Sequence, residues 1–373
     1  MKLVSFQNAS SLLLPSDDFA STANLPTQPW KTLQTFQEQG AFPGASYAVL
    51  HRGHVVDRGA VGRFTFDPTS PVITPETSFD LASVSKVLAT TAIAMLLCQR
   101  GVLSLDMPVE ALLPGFAGPN AIRARVTLRM LLSHSSGLPG YAPLFETVHD
   151  ADELLARALD MPLNYAPGER SEYSDIGFIL LGRALEVLAG EPLDTFCARE
   201  IFAPLGMAAT RYCPPMAERG AIPPTEDDKS FRHSVIQGVV HDENCYVLGG
   251  VSGHAGLFAP AMDVLRFSGE MLSPAGLLDE KTIRLFTKQT EVSGSSRALG
   301  WDTPSRETSS SGHFFNKGSF GHLGYTGTSL WIDPVRECAV VLLTNRTFPT
   351  RENKLISQVR PQFHDAVVKS LQH

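Results

Sequence analysis

The chain has 373 residues, of which 43% are hydrophobic and 18% are charged, and its formal net charge is −7. This composition is typical of a globular protein with a large apolar core, and the length predicts two domains or one domain that carries a large insertion. No run of Lys or Arg forms a basic stripe, so we expect no nucleic-acid partner.

The cysteines are scattered along the sequence, and no two of them form a Cys-x-x-Cys pair. They are Cys98, Cys197, Cys213, Cys245 and Cys338. This spacing argues against a disulfide framework and against a structural zinc site. We expect most of them to be small buried hydrophobic residues.

Residues 1–29 are rich in Ser, Pro and Asn and predict a loose leader. Their apolar run at residues 12–14 is too short for a secretory signal. No stretch of the sequence approaches the ~20 apolar residues of a membrane span. We therefore expect a cytoplasmic protein without a transmembrane segment, or a periplasmic one should a leader have been removed.

The first elements after the leader are a helix and a hairpin. Residues 30–39 predict a short helix that Gly40 ends, and residues 44–50 and 54–62 predict two strands joined by a tight turn. A longer helix follows from about Ser83 to Arg100, because apolar residues recur there at three- and four-residue spacing. Gly101 has the position of a helix C-cap.

The middle of the chain alternates between helical segments and loops rich in Gly and Pro. Residues 151–159 and 175–190 predict helices, whereas residues 208–245 lack periodicity, and loops of that length are usually functional or mobile. Strand patterns return at residues 329–333 and 337–345. The tail from residue 355 has apolar residues at i, i+4 spacing, and Pro361 predicts a kink or a late helix start.

Strands near both ends, with helices between them, imply a sheet assembled from the two termini. We predict an α/β (α+β) protein with an antiparallel sheet of about five strands, terminal helices flanking it, and a mostly helical inserted domain. The predicted boundaries are 1–29 for the leader, 30–80 with 271–373 for the sheet domain, and 81–270 for the insertion.

Ser83 and Lys86 open the first long helix as a Ser-x-x-Lys motif. Residues three apart lie side by side on one helix face, so the hydroxyl and the amine are neighbours. A serine needs a base to become a nucleophile, and the helix N-terminus favours negative charge that develops there. The motif alone is weak, because an ordinary surface helix often contains it.

Two further segments each allow a purely structural and a functional interpretation. Tyr173 precedes the helix of residues 175–190, where a tyrosine is more often a capping or packing residue. Residues 318–328, GSFGHLGYTGT, are dense in glycine, which lets a substrate approach the backbone closely, although an ordinary turn has the same composition.

Taken together, these segments resemble the serine β-lactamase and penicillin-binding protein family, in its class C β-lactamase, carboxypeptidase and esterase branch. The resemblance covers roughly residues 30–350 and includes five blocks in the family's order. They are FDLASVSKVLATTAIAMLLCQRGVLSLDMPVEALLP (79–114), LRMLLSHSSGL (128–138), YAPGERSEYSDIGFILLGRALE (165–186), GGVSGHAGLF (249–258) and GHLGYTGTSLWIDP (321–334).

The resemblance implies catalytic roles for three residues. Ser83 matches the nucleophile, Lys86 the lysine of the Ser-x-x-Lys motif, and Tyr173 the tyrosine that exchanges a proton with the serine and the leaving group. The implied reaction is a two-step acyl transfer that needs no cofactor and takes a small-molecule or short-peptide substrate.

The resemblance also implies a substrate-binding strand. His322-Leu323-Gly324 stands where the family has Lys-Thr-Gly, for which this branch often has His-x-Gly. The backbone N–H groups of Tyr325 and Ser83 would form the oxyanion hole.

Two departures from the family pattern have electrostatic consequences. Asp175 replaces an Asn of the class C enzymes, and a carboxylate near Lys86 keeps the ammonium charged, which favours Tyr173 as the proton acceptor. Leu323 replaces a hydroxyl residue, and a histidine such as His322 is mostly neutral at pH 7. We expect both changes to weaken capture of a substrate carboxylate.

The predicted function is therefore hydrolysis of small esters or D-amino-acid amides and peptides, with poor β-lactamase activity. Two alternatives stay open at this point, a true β-lactamase and a catalytically idle member of the fold that serves as a binding or scaffold protein. The oligomeric state is not predicted.

Other histidines were considered as metal ligands. His233, His241 and His254, with Asp242 and Glu243, have no metalloprotease spacing, and we expect a rim-loop or core role for them. His134 is expected to be a hydrogen-bonded core residue. No G-x-S-x-G motif and no G-x-G-x-x-G motif after a strand is present, so neither an α/β-hydrolase nor a nucleotide site is implied.

Overall fold

A computed structural model describes residues 27–292, 295–305 and 309–371. Residues 1–26, most of the predicted leader, therefore lie outside the described residues. The first helix begins at Gln28, because Thr27 accepts the Trp30 N–H and Pro29 suits a first helical turn.

Five strands from the two ends of the chain form one antiparallel sheet in the order β2-β1-β10-β9-β8. Within it Ala45 lies opposite Thr344, and Phe320 opposite Ile332. Short strands form a three-stranded sheet, β3-β7-β4, and a two-stranded one, β5-β6. The strand bounds are β1 Gly44–His51, β2 His54–Gly62, β3 Phe79–Asp80, β4 Arg211–Tyr212, β5 Glu226–Asp228, β6 Ser234–Ile236, β7 Leu257–Ala259, β8 Phe320–Leu323, β9 Ser329–Asp333 and β10 Cys338–Thr344.

The helices lie at both ends of the chain and throughout its middle. Their bounds are α1 Gln28–Glu38, α2 Ala92–Gln99, α3 Leu128–Leu132, α4 Ala151–Asp160, α5 Asp175–Ala189, α6 Leu193–Cys197, α7 Glu243–Val247, α8 Ala261–Leu272, α9 Glu280–Thr287 and α10 Ile356–Ser370.

The five-stranded sheet is covered on both faces, as a sheet with two apolar faces requires. Helices α1 and α10 pack on one face, where Phe36, Tyr47, Trp331 and Phe363 belong to one buried apolar cluster. Helix α8 packs against β1 and β10 on the other face. The predicted architecture is confirmed, and the predicted domain boundaries stay a prediction.

The central helix, Ala82–Gln99, is less regular than the sequence predicts. It begins with a 3-10 turn at Ala82–Val84, widens into π-helical turns at Lys86–Thr91 and becomes α-helical only at α2. Wide turns of this kind occur frequently at functional sites. The helix is long and apolar enough to cross a membrane, but 83% of it is buried inside the protein, as in a core helix.

Two other expectations change in the structure. Helix α10 starts at Ile356 and contains Pro361, so a late start at the proline is wrong, because Val359 and Phe363 on either side of it are both buried against the sheet. The segment 208–245, predicted as a loop, contains the short strands β4, β5 and β6. These strands have only two or three residues, too few to show periodicity.

Candidate active site

Ser83 follows a strained backbone position. Ala82 has φ +46°, in the left-handed region that costs a non-glycine residue of order 1 kcal/mol or more. The buried Asp80 carboxylate holds this turn, because it accepts the Ala82 N–H at 2.8 Å and the His241 N–H at 2.6 Å. The turn places Ser83 in the wall of a cavity of about 610 Å³.

Lys86 is completely buried next to Ser83. Its Nζ donates to Ser83 Oγ at 2.9 Å and to the His254 carbonyl oxygen at 2.8 Å, and it forms an ion pair with Asp175 Oδ1 at 2.6 Å. Burial by itself would lower the pKa of Lys86, but the charge of Asp175 and the neighbouring Tyr173 outweigh it and raise the pKa. The amine is therefore an ammonium at neutral pH, as expected from Asp175.

The Tyr173 side chain lies beside the same ammonium, with Lys86 Nζ 5.0 Å from the centre of its ring. Burial and the charge of Asp175 raise the pKa of Tyr173 to about 12, although Lys86 and a hydrogen bond with Ser83 act in the opposite direction. The resting site thus contains a charged amine, a carboxylate and a protonated phenol.

Ser174 and His134 position the Tyr173 segment. Ser174 Oγ accepts the Gly177 N–H at 2.9 Å and caps α5, while the Ser174 N–H donates to His134 Nδ1 at 3.0 Å. The His134 ring lies between the rings of Tyr173 at 4.7 Å and Phe178 at 4.9 Å. The prediction that His134 is a hydrogen-bonded core residue is confirmed.

The end of β8 is packed tightly against the turn that leads to Ser83. A Cβ on Gly324 would lie 2.0 Å from Thr328 Oγ1 and 2.4 Å from the Leu81 carbonyl oxygen, so only glycine fits there. Thr328 Oγ1 also donates to the Leu81 oxygen at 2.8 Å. Through this close approach Tyr325, the residue after Gly324, lines the same cavity as Ser83.

His322 lines the cavity as a neutral imidazole. Burial, together with the charges of Lys86 and Arg297, lowers its pKa well below the usual value. Its Nδ1 donates to the Leu323 carbonyl oxygen at 2.8 Å, since that oxygen can only accept. The buried Nε2 has no partner among the described residues, and as the unprotonated nitrogen it can accept a hydrogen bond.

Several charged residues of the cavity wall were not predicted from the sequence. The lining residues missed include Arg297, Arg346, Arg351, Arg360, Asp302 and Tyr141. A signal for Arg360 is present, because it follows the buried Val359 on the apolar side of α10. Arg346 comes two residues after the end of the apolar strand β10, where a buried arginine is unusual.

A sequence model of the Beta-lactamase family matches residues 31–361. The chain belongs to the Beta-lactamase family. Relatives of this β-lactamase-family chain include the N-acetylmuramyl-L-alanine amidase of Bacillus subtilis (strain 168), which is 32% identical over 91% of this chain and 86% of its own length. Another is the "Putative D-alanyl-D-alanine carboxypeptidase" of Escherichia coli (strain K12), 34% identical over 82% of this chain and 79% of its own length.

Among solved structures, the fold resembles that of EstCE1, a hydrolase with promiscuous acyltransferase activity. The TM-score is 0.71 at 24% identity, and the match covers 91% of this chain and 98% of EstCE1. The resemblance of the sequence to the serine β-lactamase and penicillin-binding protein family is confirmed, and the chain is a serine hydrolase of this family.

In this β-lactamase-family chain all the predicted site residues meet at one cavity. Ser83, Tyr173, Asp175, His322, Gly324 and Tyr325 line it, and Lys86 lies buried directly behind Ser83. The catalytic and binding roles that the resemblance implies for them are taken up below as proposals.

Two of the other candidate histidines, His241 and His254, make hydrogen bonds within the protein. His241 Nε2 pairs with Glu226 Oε2 at 2.9 Å, and His254 bridges Ser252 and Asp242 at 2.8 and 2.7 Å. Among residues 27–292, 295–305 and 309–371, no cluster of His, Cys, Asp or Glu is arranged to hold a metal ion. His241 lies in the cavity wall and His254 in the support of Lys86.

Proposed function

We propose that this chain hydrolyses small esters or D-amino-acid amides and peptides through an acyl-enzyme on Ser83. The observation that carries the proposal is the contact of Lys86 Nζ with Ser83 Oγ at 2.9 Å, beside Tyr173 and at the wall of an open cavity. A hydroxyl supported by a cation and a second acid–base group is the usual arrangement of an activated serine.

In the first step Ser83 Oγ attacks the substrate carbonyl and loses its proton. Lys86 is charged and already donates to Ser83 Oγ, so the proton of the hydroxyl is free to point at Tyr173, with which Ser83 forms a hydrogen bond. Tyr173 in its phenolate form accepts that proton and then passes it to the leaving group. Lys86 holds the phenolate and the serine in place electrostatically.

The negatively charged oxygen of the tetrahedral intermediate needs hydrogen-bond donors. The N–H groups of Ser83 and Tyr325 are the proposed donors, and the contacts of Gly324 with Leu81 and Thr328 fix the distance between these two segments. Removing one such donor typically costs ~3–4 kcal/mol of transition-state stabilisation. In the second step water attacks the acyl carbonyl while Tyr173 accepts its proton. The bond from the acyl group to Ser83 Oγ then breaks, the acid is released, and Tyr173 returns the proton to Ser83 Oγ.

The relatives support amides of peptidoglycan-like compounds as substrates, since one is named an amidase and another a carboxypeptidase. Asp175 and the neutral His322 distinguish this site from the class C pattern that the sequence resembles, which supports poor turnover of β-lactams. A p-nitrophenyl ester should therefore be hydrolysed faster than nitrocefin, and the reverse order would favour the β-lactamase alternative.

The direct test is intact-mass measurement after incubation with a fluorescent penicillin. We expect a stable adduct on the wild-type chain and none on Ser83→Ala. Ser85→Ala is a matched control. Ser85 lies two residues from Ser83, but its hydroxyl oxygen is inside the core, where it accepts the Leu257 N–H at 3.1 Å. Rapid turnover without an adduct would support a β-lactamase, and the absence of both adduct and ester hydrolysis would contradict the proposal.

A further inference from the structure

The carboxylate of Asp80 is buried three residues before Ser83, with an exposed fraction of 1%. Burial raises its pKa, and no lysine or arginine within residues 27–292, 295–305 and 309–371 forms an ion pair with it. A carboxylate buried without a cation destabilises the fold unless hydrogen bonds compensate it. The partners that supply these bonds all belong to segments of the candidate active site.

One oxygen of this carboxylate fixes the turn before the proposed nucleophile. Asp80 Oδ1 accepts the Ala82 N–H at 2.8 Å, and Ala82 has φ +46°, a strained conformation for a residue with a side chain. The conformation of Ala82 determines where the next N–H, that of Ser83, points. The bond to Oδ1 therefore orients one of the two proposed oxyanion donors.

Asp80 also holds the segment that carries the second proposed donor, the Tyr325 N–H. Thr326 Oγ1, from the residue directly after Tyr325, donates to the Asp80 carbonyl oxygen at 2.8 Å. Asp80 Oδ2 accepts the His241 N–H at 2.6 Å, and the His241 and Tyr325 rings lie side by side with 5.7 Å between their centres. Asp80 is thus joined to Tyr325 through two different neighbours.

We propose that Asp80 is a positioning residue that fixes the distance between the two oxyanion donors, the N–H groups of Ser83 and Tyr325. The inference rests on the proposed function, in which these groups stabilise the tetrahedral intermediate. Asp80 is buried, so it acts through Ala82, Thr326 and His241 rather than on the substrate. Oxyanion donors act when they lie about 2.7–3.1 Å from the oxygen that becomes charged, so a small relative movement of the two segments weakens catalysis.

A carboxylate fits this position because it only accepts hydrogen bonds. Each of its oxygens faces a backbone N–H, so the NH₂ group of Asp80→Asn would point at one of these donors and break that bond. Thr326→Val removes the hydroxyl that donates to the Asp80 carbonyl oxygen and keeps the shape of the side chain. The two variants disturb the network from opposite sides.

The test compares kcat/KM for a p-nitrophenyl ester with that for the thiono ester of the same acyl group, each divided by its rate of hydrolysis by hydroxide. Sulfur is a larger atom and a weaker hydrogen-bond acceptor than oxygen, so an intact oxyanion hole favours the oxo ester. For the wild-type chain we expect a preference of roughly 10²-fold, the effect of one oxyanion donor.

Asp80→Asn and Thr326→Val should each reduce this preference by about tenfold, whereas Thr326→Ser, which keeps the hydroxyl, should retain it. The loss for the oxo ester should fall on kcat rather than on KM, because the oxyanion forms only in the transition state. The preference is a ratio, so a smaller folded fraction does not change it.

Glu270→Gln is the matched control. Glu270 is also 1% exposed, and both of its oxygens accept backbone N–H groups of residues 275–278 at 2.9–3.0 Å, but no residue of this segment lines the cavity. The variant therefore makes the same chemical change away from the site and should keep the wild-type preference.

A folded Asp80→Asn that keeps the wild-type preference overturns the inference, as does a wild-type chain without any preference for the oxo ester. Where Asp80→Asn does not fold, a retained preference in Thr326→Val overturns it and a reduced one supports it. Failure of the proposed function gives a different result, namely no ester hydrolysis by the wild type or hydrolysis that Ser83→Ala retains.

Discussion

Asp175 Oδ1 lies 2.6 Å from Lys86 Nζ, and the charge of Asp175 acts on the protonation of both Lys86 and Tyr173. The carboxylate raises the pKa of the ammonium, and its charge also helps to raise that of Tyr173. The amine is thereby kept as a cation and the phenol in its protonated form, so the phenolate of Tyr173 that the proposed mechanism needs is a minor species at neutral pH. The same carboxylate holds Lys86 close to Ser83.

Asp175→Asn should make the enzyme more active at neutral pH. Removing the negative charge lowers the pKa of Tyr173, so the phenolate that accepts the serine proton forms at lower pH. We expect the rising limb of the pH profile of kcat/KM for a neutral ester to move to lower pH by about one unit or more. Asp106→Asn is the control, because Asp106 pairs with Arg129 at an exposed site. An unchanged pH profile in Asp175→Asn would show that the carboxylate does not control the base.

The rate of acylation should rise with pH in the wild-type chain. Since the pKa of Tyr173 is about 12, the phenolate is a small fraction at pH 7 and grows about tenfold per pH unit. Tyr173→Phe should abolish this slope and reduce kcat/KM by about 10²–10⁴-fold. Stopped-flow acylation with a p-nitrophenyl ester, followed from about pH 6 to about pH 9, measures both. A slope that survives in Tyr173→Phe would assign the base to another group.

Gly324→Ala should impair catalysis more than an alanine substitution at an uncrowded glycine does. The added Cβ would lie 2.0 Å from Thr328 Oγ1 and 2.4 Å from the Leu81 oxygen, and the end of β8 must then move away from Ser83. A displacement of the Tyr325 N–H of about 1 Å can cost ~10²-fold in rate. Gly318→Ala, where a Cβ meets nothing within 4 Å, is the matched control. Thermal unfolding separates loss of activity from loss of folding, and equal activity of the two variants would contradict the prediction.

Protonation of Glu226 should lower the free energy of unfolding at acidic pH. Burial alone would raise its pKa, but hydrogen bonds from His241 and Arg351 lower it from 4.5 to about 2. Because the folded-state pKa is depressed, the stabilisation is present above pH 4.5 and is lost as the pH falls towards 2. Urea unfolding should show a loss of about 2–3 kcal/mol over this interval in the wild type that Glu226→Gln lacks.

The control for this measurement is Glu218→Gln, because Glu218 pairs with Arg211 at an exposed site. That variant should follow the acid dependence of the wild type. If Glu226→Gln followed it too, the buried carboxylate would not be the group that titrates. The His241 ring also lies beside the Tyr325 ring, with 5.7 Å between their centres. The ester-hydrolysis activity of Glu226→Gln therefore tests whether the Glu226–His241 pair supports this part of the cavity wall.

The local elements were predictable where one residue decides the backbone. Gly40, Gly101 and Gly190 end helices with φ of +78°, +71° and +73°, and glycine adopts that region without steric cost. The hairpin of β1 and β2 was predicted because each strand has a regular pattern and a tight turn joins them. The wide turns at Lys86–Thr91 were not predicted, because they depend on how the helix packs in the core rather than on its own residues.

By itself the sequence pointed to the proposed reactive residues. Ser83 and Lys86 lie three apart at one helix start and Tyr173 just before another, and these positions stand in motifs that resemble those of the family. Only the tertiary structure decided which buried arginines line the site. Arg346 and Arg360 reach the end of β8 from 21 and 36 residues away along the chain, and Asp175 reaches Lys86 from 89 residues away. Electrostatic energy depends on distance and burial in three dimensions, and neither is written in the order of the residues.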